Sequence, residues 1–353
     1  MKECRGATQK DVANAAGVST ASVSRVLNGV GPVKPEIRAR IERAILALDY
    51  APHEGARALV TRRSLVLGAI IPTLNNAIFA EGINAFEAEA RARGYTLMLS
   101  VSNYDLNEEQ TLVRRMVQRG VDGLLLVGNQ HAAETFATLR RAAVTHVCAW
   151  AFEEDGPAPN VGFRNAEAMA EIVDLLVGLG HRRFAMLAGV QAGNDRARGR
   201  VSGVQSRLAF HGLRLQPDML AECPYTVRAA REAFQRLMGG AAVGRPTALV
   251  CGNDVIAIGA LLEARRLGIA VPGALSVTGF DNLAVAAEMD PPITTVDVPA
   301  EQMGRGAALA LIEAIGAGRA VKSTLMPTRL LVRGTTAGIA PGACRGCPCP
   351  CSG

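Results

Sequence analysis

The sequence predicts an all-α helix-turn-helix head followed by an α/β core of two doubly wound parallel-sheet lobes. Residues 8–28 contain two short helical patterns joined by a glycine. From residue 65 onward, continuous apolar runs alternate with amphipathic segments, which is typical of parallel strands covered on both faces by helices. The alternation runs through two successive series, of which the second begins near Asn165. Two series in one chain predict two similar lobes, with ligands bound between them, outside the carboxyl ends of the strands.

The first helix is predicted to begin at Thr8, which can form a capping box with Asp11 three residues later. Val12 and Ala16 give this helix an apolar face at helical spacing. Gly17 lies where the helix must end, because a residue without Cβ accepts the left-handed conformation. A second helix then follows after a tight turn.

The second helix has Ser19 as its predicted cap and turns Val23, Val26 and Leu27 inward. Its outward side chains are small or polar, with one arginine. A helix that enters the major groove of DNA needs such a surface, with hydroxyls for phosphates and a guanidinium for a guanine edge. An ordinary helical hairpin is the alternative. The outward residues are Thr20, Ala21, Ser22, Ser24, Arg25 and Asn28.

A third helix closes the predicted head. Ile37, Ile41 and Ile45 recur at helical spacing, so residues 1–50 are expected to form a three-helix DNA-binding domain. The helix-forming part of residues 51–64 is shorter than the roughly 12–15 residues that an isolated helix needs. We therefore expect a hinge that is coil alone and helical when docked, with a plain flexible linker as the alternative.

The positive charge is concentrated in the head. The chain carries 38 Lys and Arg against 32 Asp and Glu, a net charge of +6, and residues 1–65 hold 11 of the basic and 6 of the acidic residues. A basic head on a nearly neutral body predicts a polyanion partner for the head, although a solvated surface has a similar composition. No apolar run approaches the roughly 20 residues of a membrane span, and the N-terminus lacks the apolar core of a signal peptide. We therefore expect a cytoplasmic protein with no membrane partner.

Candidate ligand-binding side chains follow the apolar strands of the core. Asn253 and Asp281 each come after a strand, where an amide and a carboxylate can bind two hydroxyls of a sugar. Arg200 can bind a hydroxyl or a carboxylate. A helix cap or a core position is the alternative role for each candidate. Three rings with flat faces and a weaker amide candidate are Phe79, Trp150, Tyr225 and Asn76.

The sequence contains none of the common catalytic motifs: no G-x-G-x-x-G after a strand, no P-loop, no G-x-S-x-G and no H-E-x-x-H. We therefore expect no enzyme activity and no cofactor. Four scattered cysteines are expected to be reduced thiols. Four more end the chain in CRGCPCPC, whose thiolates could bind a metal but lack zinc-finger spacing, so residues 339–353 are expected to be a disordered tail.

The segment DVANAAGVSTASVSRVLNG closely resembles the DNA-reading head of the LacI/GalR family of bacterial transcription regulators. Residues 65–338 resemble the two-lobed, periplasmic-binding-protein-like core of the same family, and the resemblance spans residues 7–337. It is carried by segments such as RGVDGLLLVG, GHRRFAMLAG and VCGNDVIAIGAL. The segment NNAIFAEG, together with Trp150, is most similar to the gluconate-repressor branch.

This resemblance implies a sequence-specific DNA-binding transcriptional regulator, in most members a repressor, controlled by an effector bound between the lobes. The implied partners are operator double-stranded DNA and a sugar or sugar acid, for which a gluconate-like compound is one candidate. A homodimer is also implied, because the tetramerising leucine heptad of the lac repressor does not follow Arg333. The core alone would allow a solute-binding protein of a transport system, but the head argues against it.

The resemblance also assigns residue roles in the head. Thr20, Ala21 and Arg25 occupy the base-reading positions, with the other outward residues of the second helix near phosphates and adjacent bases. Lys34 stands where the family has a Ser or Thr cap, so it can supply charge for phosphate but no cap. Ile37 replaces a phosphate-binding threonine and cannot form that hydrogen bond.

Two further assignments lie beyond the head. Leu59 matches the hinge leucine that wedges into the minor groove of the operator, where an apolar side chain can kink a base step. In the core, the resemblance implies effector contacts for Phe79, Arg200, Tyr225, Asn253 and Asp281.

Overall fold

The computed structural model describes residues 7–28, 31–50, 63–239 and 245–339 of the 353-residue chain. The chain divides into two compact units, Met1–Val66 and Leu67–Gly353. Three helices form the described core of the first unit, whereas parallel sheets organise the second. This architecture confirms the predicted fold class.

Three short helices pack into the head, with the local signals that the sequence predicted. The Thr8 hydroxyl and the Asp11 carboxylate form a capping box, and Gly17 ends the first helix at φ 60°. Val12, Val23 and Ile41, one from each helix, are fully buried against one another. Val18 is half-buried, less than expected. The helices are α1 (Gln9–Ala16), α2 (Thr20–Asn28) and α3 (Pro35–Ala47).

The first lobe of the second unit is built on a six-stranded sheet in the order β11-β5-β4-β3-β1-β2. The strands are β1 (Val66–Ile71), β2 (Thr96–Val101), β3 (Gly123–Val127), β4 (Thr145–Ala149), β5 (Asn160–Gly162) and β11 (Thr324–Leu325). The helices of this lobe are α4 (Ala77–Ala92), α5 (Leu106–Gln118), α6 (Ala133–Arg141) and α12 (Ala300–Ala317).

The second lobe is built on a parallel four-stranded sheet in the order β7-β6-β8-β9. Its strands are β6 (Phe184–Gly189), β7 (Leu220–Cys223), β8 (Ala248–Cys251) and β9 (Ser276–Thr278), with an antiparallel pair of β10 (Thr295–Asp297) and β12 (Arg329–Leu331). Its helices are α7 (Asn165–Gly178), α8 (Asp195–Phe210), α9 (Val227–Met238), α10 (Asp254–Arg266) and α11 (Ala284–Ala287), with a 3-10 turn at Pro217–Met219.

The chain crosses between the lobes three times, after β5, after β10 and after β11. The alternating pattern did not predict the return of α12 and β11 to the first lobe. There α12 packs so closely on α4 that a Cβ added to Gly304 would collide with the carbonyl oxygen of Gly82. The predicted parallel pairing is confirmed, since β1 pairs with β3 and β3 with β4 in parallel.

The Asp105 side chain caps α5, because its carboxylate accepts hydrogen bonds from the amides of Asn107 at 2.8 Å and Glu108 at 3.2 Å. Among the described cysteines, Cys148, Cys223 and Cys251 are free and buried, as expected. None of the helices in the described part of the chain is both long and apolar enough to span a membrane.

Several predictions fall outside the described residues. The hinge leucine Leu59 and most of the predicted hinge are among them, as is the predicted tail from residue 340 onward. Cys4 and the four terminal cysteines lie outside as well.

Candidate functional site

One exposed face of the head carries the predicted DNA contacts. Thr20, Ala21 and Arg25 are exposed on α2, while Ser22 and Ser24 are half-buried. The cap at the start of this helix orients them, because the Ser19 hydroxyl accepts a hydrogen bond from the Ser22 amide at 3.2 Å. Asn28 is the last residue of α2. The face is therefore small and polar, with one guanidinium free to extend.

The entry to α3 departs from a capped helix. Lys34 is exposed at the N-cap position and makes no side-chain capping bond, and Pro35 follows it. Ile37 packs half-buried against the head core. Arg40, which sequence reasoning missed, donates to the carbonyl of Ala16 at 2.5 Å and so ties α3 to the turn before α2. This bond helps to hold α2 in place.

A cavity of about 20 Å³, here called the inner chamber, lies between the two lobes of the second unit. It is bounded by the carboxyl ends of strands from both sheets, as expected for α/β proteins. Six of the seven predicted effector-binding residues line it, and four residues that sequence reasoning missed line it too. The lining residues are Asn76, Ile78, Phe79, Tyr104, Trp150, Asn194, Arg196, Arg200, Tyr225 and Asp281.

A larger cavity of about 310 Å³, the outer chamber, lies next to the inner one. The two chambers share three lining residues, Asn76, Tyr104 and Tyr225. The remaining lining of the outer chamber is uncharged: Pro72, Thr73, Asn75, Asn103, Val190, Pro224 and Thr226.

The first lobe supplies rings and unpartnered polar atoms to the inner chamber. Phe79 and Trp150 meet edge to face, with ring centroids 5.5 Å apart. The buried indole Nε1 of Trp150 and the buried Oδ1 of Asn76 have no hydrogen-bond partner within the described part of the chain. A buried donor or acceptor without a partner costs free energy, and a ligand that forms the missing hydrogen bond removes that cost.

The second lobe supplies a fixed guanidinium. Arg200 on α8 is 8% exposed, and its Nε donates to the Asn165 Oδ1 at 2.9 Å while one terminal nitrogen donates to the Gly252 carbonyl at 2.6 Å. The other terminal nitrogen lies 3.5 Å from the Asp281 carboxylate. The guanidinium of Arg200 also lies over the Phe280 ring, with its Cζ 4.0 Å from the ring centroid. These contacts hold Arg200 in one orientation.

Buried carboxylates lie beside Arg200. Burial raises the pKa of Asp281 to about 6, although the Arg200 charge opposes this. Behind it, burial and the Asp281 charge raise the pKa of Asp254 to about 7. The Asp254 carboxylate accepts hydrogen bonds at 2.7 Å from the Leu283 amide and the Thr295 hydroxyl. Asp254 therefore ties the loop that carries Asp281 to the start of α10.

Asn253 is the one predicted effector residue that does not line the chamber. It is fully buried and caps α10, with its Oδ1 accepting from the Ile256 amide at 3.0 Å. The same side chain favours the charged form of Asp281 and so lowers its pKa, although its Nδ2 makes no hydrogen bond of good geometry. Asn253 therefore caps α10 and favours the charged form of Asp281.

Three of the four missed lining residues follow strand ends, as Trp150 and Asp281 do, and the fourth, Ile78, lies in α4. Tyr104 follows β2, while Asn194 and Arg196 follow β6. The strand-end rule that selected Asn253 and Asp281 would have included them. His181, between α7 and β6, has a structural role, with ring nitrogens 3.0 Å from the Thr247 hydroxyl and 2.9 Å from the Ser276 hydroxyl.

Known families match both units. Residues 8–53 match the pattern of bacterial regulatory proteins of the lacI family, and residues 173–336 match a periplasmic binding protein-like domain. The HTH-type transcriptional repressor CytR of Escherichia coli strain K12 is 32% identical over 340 residues, which cover 95% of this chain and 98% of that protein. The chain belongs to the lacI family. Another lacI-like relative, the regulator MalR of Streptomyces coelicolor, is 35% identical over 94% of this chain and 97% of its own length.

Solved structures of similar proteins share the fold. The lac repressor dimer bound to operator and the anti-inducer ONPF aligns with a TM-score of 0.83 and 25% identity, over 94% of this chain and all of that one. The regulator GntR of Chromobacterium violaceum aligns with a TM-score of 0.72 and 30% identity, over 77% of this chain and 99% of that one. This lacI-family member is a DNA-binding transcriptional regulator, and a transport solute-binding role is not favoured.

Proposed function

We propose that this regulator is a repressor whose head binds operator DNA and whose inner chamber binds a sugar or sugar acid, with gluconate as the first candidate. The observation that carries the proposal is that six of the side chains predicted from the sequence line one chamber. We further propose that it works as a cytoplasmic homodimer without enzyme activity. Its likeness to the lac repressor dimer supports the dimer.

The exposed face of α2 supports DNA reading. Arg25 extends from the last turn of the helix and can donate two hydrogen bonds to a guanine, with Thr20 and Ala21 beside the neighbouring bases. Ser22, Ser24, Asn28 and Lys34 are proposed to contact phosphates and adjacent bases, and phosphate contacts set the position of a protein on DNA. Leu59 remains a proposed minor-groove wedge on sequence grounds alone.

The chemistry of the chamber supports a polyhydroxylated effector. Each sugar hydroxyl both donates and accepts, so it can satisfy the Asn76 oxygen and the Trp150 nitrogen. Phe79 and Trp150 offer apolar faces to a sugar ring on one side. Arg200 and Asp281 offer charged groups on the other side, to hydroxyls or to a carboxylate. Asn253 is proposed to act indirectly, by holding Asp281.

The size of the chamber supports a conformational response. A volume of about 20 Å³ holds no more than a single water. A sugar must therefore separate or rearrange the lobes in order to enter. A ligand with different affinities for two lobe arrangements shifts their populations, with a coupling to DNA binding of typically about 1–3 kcal/mol.

The test uses Arg200→Ala with Arg207→Ala as its matched control. Both arginines lie on α8, but Arg207 pairs with Asp174 outside the chamber. Operator binding is titrated with gluconate and a panel of neutral hexoses. Losing a hydrogen bond from a charged group costs about 1.5–3 kcal/mol, so Arg200→Ala should need roughly tenfold to a hundredfold more of the active compound to release DNA. Operator affinity without the compound should not change.

The control protein should release DNA at the wild-type concentration. If Arg200→Ala also does so, the inner chamber is not the effector site. If no compound in the panel releases DNA from the wild type, the effector is not of the proposed class.

A further inference from the structure

The segment that joins β6 to α8, residues 190–198, contacts the first lobe at several points. We call it the strap. The Asp195 carboxylate accepts a hydrogen bond from the Asn129 amide at 2.7 Å. The Arg196 guanidinium donates to the Val127 carbonyl at 3.0 Å. Because both bonds run from the second lobe to the end of β3, they oppose separation of the lobes.

A third polar contact and a close approach strengthen this junction. Arg198 donates to the Gln130 Oε1 at 2.7 Å. Gly128 has a φ of 86°, and a Cβ there would collide with Arg196 and Asp195. The strap therefore lies directly against the loop that follows β3.

The first-lobe side of the junction is held in place from behind. The His131 ring nitrogens lie 2.7 Å from the Glu109 carboxylate and 2.9 Å from the Gly128 carbonyl. Burial alone would lower the pKa of His131, but its hydrogen bonds with Cys148 and Glu109 raise it to about 10. The ring is thus charged and paired at neutral pH, and the loop of Gly128 stays fixed relative to its own lobe.

At the other end of the strap, two tyrosines from opposite lobes stack. The Tyr104 and Tyr225 rings have centroids 6.0 Å apart and planes 30° apart. The Tyr225 hydroxyl accepts a hydrogen bond from the Asn194 amide at 3.2 Å. Gly193 approaches the Tyr104 carbonyl so closely that a Cβ would lie 2.6 Å from it. Strap residues thus contact both tyrosines of the stack, one in each lobe.

The stacked rings lie between the two chambers, together with Asn76. Both tyrosines line the inner chamber of about 20 Å³ and also the outer chamber of about 310 Å³. The outer chamber holds a small ligand without any rearrangement, whereas the inner one does not. A molecule that passes from the outer to the inner chamber meets this pair of rings.

We propose that Tyr104 and Tyr225 form a gate between the chambers and that the strap contacts hold it shut. The gate opens when the second lobe moves away from the fixed loop at Gly128, which parts the rings and frees Arg196. The inference takes the inner chamber as the ligand site proposed above. Closure itself can be tested without any ligand.

Trp150 allows a direct test because it is the only tryptophan of the chain and lies behind the gate. Acrylamide quenching of its fluorescence measures how easily a small molecule reaches the inner chamber. We compare the full-length wild type with Tyr104→Ala and Tyr225→Ala. Tyr104→Phe keeps the stacked ring, and Phe210→Ala removes an exposed ring elsewhere on the second lobe.

Both alanine variants should increase the quenching constant several-fold, while Tyr104→Phe and Phe210→Ala keep the wild-type value. The double alanine variant should match the single ones, because one missing ring already opens the gate. Arg198→Ala removes a strap contact without touching either ring and should give a smaller increase. Thermal unfolding curves identify any variant that is not folded, and Arg198→Ala then carries the test.

Quenching that stays at the wild-type level in the folded alanine variants would overturn the gate. Equal quenching in Tyr104→Phe and Tyr104→Ala would do the same, since the stack would then be irrelevant. These results do not depend on an effector. The gate and the proposed effector function can therefore fail separately.

Discussion

The head and the inner chamber hold their functional arginines in opposite states. Arg25 is exposed at the end of α2, ready to meet a partner in its folded position. Arg200 is 8% exposed and bound by Asn165, Gly252 and Asp281. The head therefore offers a preformed surface, whereas the chamber is filled by its own contacts. A ligand for the head can bind without rearrangement, and a ligand for the chamber must compete with the protein itself.

Deleting residues 1–64 tests most strongly whether DNA binding belongs to the head and not to the core. The remaining chain contains all of the second compact unit and none of the described head helices. We expect complete loss of operator binding in a gel-shift assay. The fluorescence of Trp150 and its acrylamide quenching should stay as in the full chain. Operator binding by the truncated protein would show that the head is not the DNA-reading unit.

Two head variants separate the reading of DNA bases from the positioning of the protein by phosphate contacts. Arg25→Ala should lose about 1–3 kcal/mol of discrimination between operator and scrambled DNA, because base contacts carry specificity. Lys34→Ala should weaken both complexes equally and reduce the salt dependence by about one ion. Competition binding at several salt concentrations gives both values. An unchanged specificity ratio in Arg25→Ala would exclude a base-reading role.

Acid-base behaviour should also differ between the two regions, with a smaller effect. Burial raises the pKa of Asp254 from 3.8 to about 7, so the folded core binds this proton more tightly than the unfolded chain does. A raised carboxyl pKa contributes stability below the unfolded value and loses it as pH rises through the folded value. The free energy of unfolding of the core should therefore fall between about pH 4 and pH 7.

Asp254→Asn should flatten that decline, while Asp218→Asn, at an exposed position, should keep it. Urea unfolding followed by Trp150 fluorescence reports on the core alone, since the head has no tryptophan. A wild-type pH slope in Asp254→Asn would contradict the burial argument.

The contacts of the head are closer together along the chain than those of the core, and so they are easier to predict from the sequence. The signals of the head are local: Thr8 caps with a residue three positions away, and Gly17 ends its own helix. In the core, the contacts of Arg200 reach Asn165 and Asp281, far along the chain. Strand-end positions and the family resemblance together still predicted six of the ten lining residues, because carboxyl ends of parallel strands share one edge of a sheet.

The features that the sequence did not predict lie where one lobe meets the other. Tyr104 and Arg196 follow strand ends, as Asp281 does, but which strand-end residues line the chamber depends on how the two lobes meet. The return of α12 and β11 to the first sheet is of the same kind, since periodicity predicts a helix or a strand but not the sheet it joins. Asn253 shows the alternative role that its position allowed, because a strand-end amide can equally cap the next helix, and here it does so.

A parallel titration tests most directly whether the chamber controls the head. Gluconate, or the hexose of the panel that releases operator DNA, is added to the full-length protein bound to labelled operator. Trp150 emission and operator anisotropy are recorded in the same sample. We predict that Trp150 emission changes over the same ligand concentrations at which DNA is released, and that Arg200→Ala shifts both curves together. DNA release with unchanged Trp150 emission would contradict the account.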